Sequence, residues 1–247
     1  MIEFRRINLT LNHKTILNNI DLIIPDDDKT VIIGRSGCGK TVLMKTLQGL
    51  YHPDSGSIII DGEPLNLSHY NIRSFVLHKI AMLFQSSALL DSYTVFQNVA
   101  LPLYEQHVLK PNEIQQIVLE TLEFVGLSES VNLYPEELSG GMRKRIGLAR
   151  ALVTNPKYII LDEPTTGLDP FTAREVLNFL KQVIEEKQII PVTITHDPYC
   201  INELGNYVVI MHEGSIIFQG DKREIKTQDN NMIKQFYDSF FAKAEIN

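Results

Sequence analysis

Apolar residues recur in short runs along the chain, and their spacing predicts strands that alternate with helices. Alternating apolar and polar residues predict N-terminal strands in IEFRRINLTL and IDLII, and SIIIDG predicts another strand that ends in a turn. Four continuous apolar runs have the length of buried strands: TVIIG, IAMLF, KYIIL and IIPVTIT. A hairpin is predicted where HEG separates NYVVIM from SIIFQ.

The clearest helical pattern lies between a proline and a glycine. It begins near Pro111 and ends before Gly126. Its apolar stripe consists of Ile114, Val118, Leu122 and Val125. Because strands alternate with helices, the pattern favours a largely parallel sheet covered on both faces, with ligands at the carboxyl ends of the strands.

Composition narrows the class of protein. The 247 residues are enough for one sizeable α/β domain or for a domain with an inserted subdomain, and no low-complexity linker or internal repeat divides them. No apolar run is long enough to cross a bilayer, and MIEFRRINLT lacks the apolar stretch of a signal peptide. Two cysteines, Cys38 and Cys200, make no disulfide framework, and a net charge of −7 argues against general nucleic-acid binding. We therefore expect a protein of a reducing, cytosolic compartment.

A phosphate-binding loop is predicted between TVIIG and the helix that follows it. GRSGCGKT fits the pattern G-x-x-x-x-G-K-[ST], in which glycines let backbone N–H groups turn toward an anion at a helix N-terminus. Lys40 is expected to reach the β- and γ-phosphates, and the Thr41 hydroxyl to ligate Mg²⁺. Cys38 is expected to be a small filler and not a nucleophile. The predicted nucleotide-binding residues of this loop are Gly34, Arg35, Ser36, Gly37, Cys38, Gly39, Lys40 and Thr41.

Two adjacent carboxylates follow another buried strand, in YIILDEP. Asp162 falls at the carboxyl end of the strand, where a carboxylate on the magnesium side is needed, and Glu163 is then placed to orient an attacking water. The alternative is a solvated loop, and the presence of a phosphate loop favours the catalytic interpretation. The sequence contains no guanine-reading N/T-K-x-D segment and no sign of a phosphoryl acceptor. Hydrolysis is the favoured reaction.

Two more polar residues follow predicted strands. Gln85 ends IAMLFQ, where its amide oxygen can turn toward Mg²⁺ or water, and His196 follows VTIT, where it can meet the γ-phosphate. A lone histidine or glutamine is more often structural. Their common position after strands, at the edge where the nucleotide is expected, favours a catalytic role for both.

A second phosphate-seeking element lies in ELSGGMRKR. A serine hydroxyl, the backbone N–H groups of Gly140 and Gly141 and a helix N-terminus together make an anion site. The basic residues of MRKR (142–145) are interpreted as a solvated helix face, in preference to a patch that binds lipid headgroups.

Together these motifs resemble the ATP-binding subunit of an ABC transporter. GRSGCGKT resembles Walker A, Gln85 the Q-loop, LSGGM the family signature, YIILD with Glu163 Walker B, GLD (167–169) the D-loop and His196 the H-loop. The resemblance covers residues 2–220 with every motif in order. It implies an α/β fold with a P-loop (RecA-like) core, an antiparallel β region at the N-terminus, an inserted helical subdomain at about 86–152 and a C-terminal tail at about 221–247.

The resemblance also explains why one chain has two phosphate-seeking elements. In this family two copies pair head to tail, and the signature of one subunit caps the γ-phosphate held by the other. The implied nucleotide contacts of the signature and D-loop are Ser139, Gly140, Gly141 and Asp169, and the implied metal ligands are Thr41, Gln85 and Asp162. ATP and Mg²⁺ are the expected cofactors, with Glu163, His196 and Gln85 as catalytic residues.

Partners follow from the same resemblance. An integral membrane permease is expected to hold the ATPase peripherally at the cytoplasmic face of the inner membrane. The resemblance leaves open a small regulatory subunit and gives no role to nucleic acid. Leu11 stands where the family usually stacks an aromatic residue on adenine, with His13 close by, so the way in which the base is held stays open.

A narrower resemblance suggests which cargo is transported. MLFQSSALLDSYTVFQNVALPL and LSGGMRKRIGLARAL resemble the Mla-type branch, which favours phospholipid transport. Amino acids or lipoproteins are the alternative cargo. A soluble ABC ATPase that acts on DNA or ribosomes is disfavoured because such proteins typically carry coiled-coil insertions or two ATPase units. In the tail, Ile233, Phe236 and Phe240 have helical spacing, and they are predicted to pack either on their own domain or, by family analogy, on a neighbouring subunit.

Overall fold

The apolar runs identified in the sequence form strands. The structure is a computed structural model that describes residues 1–65 and 79–241. The strands in these residues are β1 (Ile2–Leu11), β2 (Lys14–Ile24), β3 (Thr30–Gly34), β4 (Ser55–Ile60), β5 (Glu63–Pro64), β6 (Ile80–Leu83), β7 (Tyr158–Asp162), β8 (Ile190–Ile194), β9 (Tyr207–His212) and β10 (Ser215–Asp221).

Several helices begin at a capping side chain. Thr94, Ser139, Asp169 and Asn230 each accept a hydrogen bond from a backbone N–H of the following turn. The α-helices in the described ranges are α1 (Lys40–Leu47), α2 (Val95–Gln106), α3 (Pro111–Phe124), α4 (Gly140–Leu152), α5 (Pro170–Lys187), α6 (Pro198–Leu204) and α7 (Asn231–Phe240). Of these, none is both long and apolar enough to span a bilayer.

Residues 1–65 and 190–241 form one compact unit with two kinds of strand pairing. β1 pairs antiparallel with β2 and with β4, which confirms the antiparallel N-terminal region. β3 runs parallel to both β8 and β9, and β9 pairs antiparallel with β10 as the predicted hairpin. The carboxyl ends of β3 and β8 therefore lie at the same edge, which is where ligands bind in parallel sheets.

Residues 79–189 form the second compact unit, which contains the parallel strands β6 and β7 and helices α2 to α5. Its core is made by apolar side chains of α2, α3 and α4. The helix predicted between Pro111 and Gly126 is confirmed as α3. Its whole apolar stripe is buried in that core: Ile114, Val118, Leu122 and Val125. The limits of a separate helical subdomain at about 86–152 stay a prediction.

The described part of the C-terminal tail packs on its own unit. Ile233 and Phe236 of α7 are 4% and 7% exposed, in a cluster that includes side chains of β3 and β9. Phe240 packs partly buried against the same cluster, with its ring 6.0 Å from that of Phe236. Because this apolar face is already covered, the structure favours packing on the same domain over contact with a neighbouring subunit. Residues 242–247 of the predicted tail lie outside the described residues.

Candidate nucleotide site

The predicted phosphate loop connects the buried strand β3 to helix α1. The side chain of Lys40 is only 9% exposed and lies against the backbone of the phosphate loop. Its ammonium donates to the carbonyl oxygens of Gly34 at 2.8 Å and Arg35 at 3.1 Å. Phosphate oxygens carry more negative charge than these carbonyls, so the ammonium is placed to exchange its backbone acceptors for a bound phosphate.

Gly39 begins α1 in a conformation that favours glycine. Its φ of 107° is left-handed, and an added Cβ would lie 3.0 Å from the carbonyl oxygen of Ile16. Arg35, Ser36 and Gly37 are exposed in the loop before it. The first-turn N–H groups of α1 therefore face an accessible loop at the positive end of a helix, which is an anion-binding arrangement.

Cys38 has the filler role that was predicted for it. Its side chain is 7% exposed, with the sulfur 3.9 Å from the Lys40 ammonium nitrogen. Its carbonyl oxygen accepts a hydrogen bond from the N–H of Gly214 at 3.2 Å. The loop is thereby tied to the turn between β9 and β10, so Cys38 is part of the support of the loop.

His196 lies in the same unit as the phosphate loop. It is exposed just beyond β8, whose last residue, Ile194, is in register with Ile32 of β3. Asp197 accepts a hydrogen bond from the N–H of Tyr199 and caps α6. The structure therefore puts His196 and the phosphate loop at the carboxyl ends of neighbouring strands; a contact of His196 with the γ-phosphate stays a prediction.

Strand β7 ends at the two predicted carboxylates. Asp162 is 6% exposed, whereas Glu163 is half-buried and has a φ of 49°. A left-handed glutamate is unusual and carries strain of about 1–3 kcal/mol, which tends to persist at functional sites. The hydroxyl of Thr166 donates to Oε2 of Glu163 at 3.3 Å, and the N–H of Thr166 to its carbonyl oxygen at 3.2 Å. This turn gives Glu163 a defined direction, as a residue that orients a water requires.

The signature packs against the D-loop within the second unit. The hydroxyl of Ser139 accepts a hydrogen bond from the N–H of Met142 at 3.2 Å and caps α4. An added Cβ on Gly140 would lie 3.2 Å from Leu168 Cδ2, and one on Gly141 would lie 3.1 Å from Thr172 Cγ2. The two glycines thus let the N-terminus of α4 approach the segment that begins α5.

Asp169 uses its carboxylate to cap α5. The carboxylate accepts hydrogen bonds from the N–H groups of Phe171 at 3.0 Å and Thr172 at 3.1 Å, and from the Thr172 hydroxyl. The side-chain hydrogen bond from Thr172 is the main reason that the pKa of Asp169 lies below its ordinary value. All these partners lie in its own turn, and the predicted contact of Asp169 with nucleotide stays a prediction.

The prediction that MRKR forms a solvated helix face is wrong for Lys144. This side chain is 5% exposed, and its ammonium donates to the carbonyl oxygen of Gln85 at 2.5 Å. The helical spacing carries a signal for this: Lys144 lies four residues before Leu148 and seven before Ala151, and both are buried. Arg143 is exposed, as predicted. Sequence reasoning therefore missed Lys144 as a residue that contacts the Q-loop backbone.

The sequence-predicted residues thus form two groups. One unit contains the phosphate loop and His196, and the other contains Gln85, the signature, Asp169 and the two carboxylates after β7. Within each group the residues lie at strand ends or helix N-termini, as the sequence predicted.

A family model described as ABC transporter matches residues 17–166. Among curated relatives, the methionine import ATP-binding protein MetN 1 of Staphylococcus aureus strain MSSA476 is 37% identical and is matched over 99% of this chain and 73% of its own length. The corresponding protein of strain N315 is 38% identical, with the same coverage.

Solved structures of ATP-binding cassettes have the same fold. A dimeric post-hydrolysis state of the cassette MJ0796 bound to ADP and Pi matches with a TM-score of 0.77 and 28% identity, over 90% of this chain and 98% of that one. The cbiO1 protein of Clostridium perfringens, part of the ABC transporter complex cbiONQ, matches with a TM-score of 0.80 and 29% identity, over 94% and 93%. The predicted fold class is confirmed. The chain therefore belongs to the ABC transporter family, as an ATP-binding protein that hydrolyses ATP to drive transport.

Proposed function

We propose that this chain is the ATPase of an amino-acid importer with methionine-like cargo, and that it works as a head-to-tail homodimer on a membrane permease. The observation that carries the cargo is the match over 99% of the chain to methionine import ATP-binding proteins. These relatives favour the amino-acid alternative over the phospholipid cargo suggested by the Mla-type segments. A peripheral location at the cytoplasmic face of the membrane goes with this role.

The phosphate loop and the signature support the dimer. Each ends in a helix N-terminus that is suited to an anion: α1 behind Gly39 and α4 behind Ser139. One phosphate loop is enough to bind a γ-phosphate. The second helix N-terminus is explained if two copies pair, so that the loop of one copy and the signature of the other bind the same phosphate. The cassette MJ0796, which shares this fold, was solved as a dimer bound to ADP and Pi.

The residues of the site fit ATP and Mg²⁺. The Thr41 hydroxyl, the Gln85 amide and the Asp162 carboxylate offer the hard oxygen ligands that Mg²⁺ prefers. Bound Mg²⁺ would neutralise charge on the β- and γ-phosphates. Lys40 binds those phosphates, Glu163 orients the attacking water and His196 holds the γ-phosphate in line. Neither an added regulatory subunit nor nucleic acid is required by these steps.

Transport by the assembled complex tests the cargo. The chain is purified from native membranes with its permease and reconstituted into lipid vesicles. We expect ATP-dependent uptake of labelled methionine and stimulation of ATP hydrolysis by this cargo. ATP-dependent movement of labelled phospholipid without methionine uptake would instead support the Mla-type cargo. A complex that moves neither compound contradicts the proposed cargo.

Crosslinking between two differently marked chains tests the dimer. One chain carries Ser36→Cys and the other carries Gly141→Cys, so a disulfide between these positions joins separate subunits. We expect ATP to increase this crosslink well above the level in either variant alone, which is the control for reaction of Cys38 and Cys200. If ATP leaves the mixed crosslink at that background, the head-to-tail arrangement is wrong.

A further inference from the structure

The turn that contains Gln85 has a strained backbone. Ser87 and Ala88 follow one another with φ values of 61° and 45°, although neither is glycine. The N–H of Ser87 closes the turn on the carbonyl oxygen of Phe84 at 2.9 Å. Left-handed residues other than glycine persist only where their surroundings hold them. The contacts that hold this turn therefore decide where Gln85 lies.

Two cations of α4 supply those contacts. The ammonium of Lys144 donates to the Gln85 carbonyl oxygen at 2.5 Å. The guanidinium of Arg150 donates to the carbonyl oxygens of Ser87 and Ala88, at 2.7 Å each. Hydrogen bonds from ionised donors are shorter and stronger than neutral ones. The backbone of the turn is thus attached to α4 at three acceptors, the carbonyl oxygens of Gln85, Ser87 and Ala88.

Gly147 brings the helix close enough for these bonds. An added Cβ there would lie 3.0 Å from Ser87 Cβ and 3.0 Å from Leu83 Cδ1. Lys144, Gly147 and Arg150 are spaced three residues apart and so share one side of α4. The two cations and the glycine between them therefore form one surface of α4, which packs against the Gln85 turn.

The part of the chain after the turn is held separately. The side chain of Asn98, which is fully buried, hydrogen-bonds to the N–H of Leu90 at 2.8 Å and to the carbonyl oxygens of Leu90, Tyr93 and Thr94 at 3.1 Å each. Loss of Lys144 would therefore release Gln85 while residues 90–94 stay anchored.

We propose that Lys144 is a positioning residue for ATP hydrolysis, because it fixes Gln85 from the helix whose N-terminus is the signature. This inference rests on the proposed role of Gln85 as a ligand of Mg²⁺ or water. Burial lowers the pKa of Lys144, and the carboxylates of Asp162 and Glu163 oppose only part of that shift.

Steady-state ATPase measurements on the whole chain test this role. Lys144→Met keeps the length of the side chain but removes its donor and charge. We expect kcat to fall by about tenfold and KM for ATP to change by less than about twofold, because the lost bond is made by an ionised donor and ATP is bound mainly by the phosphate loop. Lys144→Gln, which keeps a donor, should recover part of kcat. Arg145→Met is the matched control on the same helix, since Arg145 lies over the ring of Phe179 at 4.9 Å.

A double-mutant cycle separates positioning from general weakening of the fold. If Lys144 acts through Gln85, Lys144→Met added to Gln85→Ala should lower kcat no further than Gln85→Ala alone. A multiplicative loss in the double variant would overturn the inference, as would Lys144→Met with wild-type kcat. If Gln85→Ala itself hydrolyses ATP normally, the proposed role of Gln85 fails first, and the inference fails with it.

Stability must be measured beside activity. Lys144→Met removes one partner of a buried contact and leaves the Gln85 carbonyl oxygen without that donor, so the variant is expected to melt below the wild type. Should Lys144→Met unfold, Lys144→Gln carries the same cycle. A folded Lys144→Gln variant contradicts the inference if its kcat equals the wild-type value, or if its loss of kcat multiplies with that of Gln85→Ala.

Discussion

The phosphate loop and the Gln85 turn both contain left-handed backbone, but they stabilise it in different ways. The loop has glycines at its left-handed positions, with φ of 78° at Gly37 and 107° at Gly39. The turn has Ser87 and Ala88 at φ of 61° and 45°. Glycine adopts such angles at little cost, whereas other residues lose about 1–2 kcal/mol each. The loop therefore obtains its left-handed angles from its own glycines.

The Gln85 turn instead depends on side chains far along the sequence. Its acceptors are bonded by Lys144 and Arg150, which are 59 to 63 residues away. A backbone that is held by distant donors can shift when those donors move. The phosphate loop is therefore preformed, whereas Gln85 is placed by α4, the helix that begins at the signature.

The largest expected effect concerns another left-handed residue, Glu163. Glu163→Gln keeps the size of the side chain but removes its capacity to accept a proton. We expect ATP binding to be retained and turnover to fall by about 10²–10⁴-fold, on the scale of a lost general base. Glu213→Gln makes the same change at another left-handed glutamate, in the turn between β9 and β10 with φ of 46°, and should leave turnover unchanged. Near-normal hydrolysis by Glu163→Gln would remove the catalytic role and leave only backbone strain.

A smaller effect distinguishes two costs of a side chain in the phosphate loop: an unfavourable backbone angle and a steric clash. Gly37→Ala meets only the unfavourable φ, since nothing lies within 4 Å of an added Cβ, whereas Gly39→Ala also meets the Ile16 carbonyl oxygen at 3.0 Å. We expect the dissociation constant for ATP, measured by calorimetry, to rise by about tenfold in Gly39→Ala, and by less in Gly37→Ala. Equal affinity in both variants and the wild type would show that glycine does not preform the loop.

The elements that local sequence patterns encode could be predicted from the sequence. The hairpin around HEG, the helix α3 and the loop between β3 and α1 follow from periodicity, turn residues and glycine spacing, all of which act over a few residues. The partners of Gln85 were not predictable in this way, because a charged residue in MRKR normally faces water. Helical spacing puts Lys144 on the side of the buried Leu148 and Ala151, but only packing decides which carbonyl it meets across the unit. The phosphate-binding motifs do not distinguish phospholipid from amino-acid cargo, because cargo is recognised outside them.

The smallest expected effect tests whether the D-loop cap depends on one hydroxyl, as the Gln85 turn depends on its cations. Thr172→Val keeps the methyl group that faces Gly141 and removes the hydroxyl that bonds to Asp169. Because that bond is the main cause of the lowered pKa of Asp169, the pKa measured by NMR titration should rise toward the usual value of 3.8.

The sign of the linked effect on stability follows from that lowered pKa. A carboxylate whose pKa is lower in the folded chain stabilises it above the unfolded pKa, and this stabilisation is lost as pH falls through the folded pKa. Thr172→Val should therefore be slightly less stable than the wild type at neutral pH, and the two should converge in acid. Asp221 is the internal control: its pKa, lowered to about 2 chiefly by the side-chain hydrogen bond from Arg223, should not change. If the pKa of Asp169 stays low in Thr172→Val, the backbone N–H groups of α5 hold the carboxylate by themselves, and the D-loop is then preformed in the same sense as the phosphate loop.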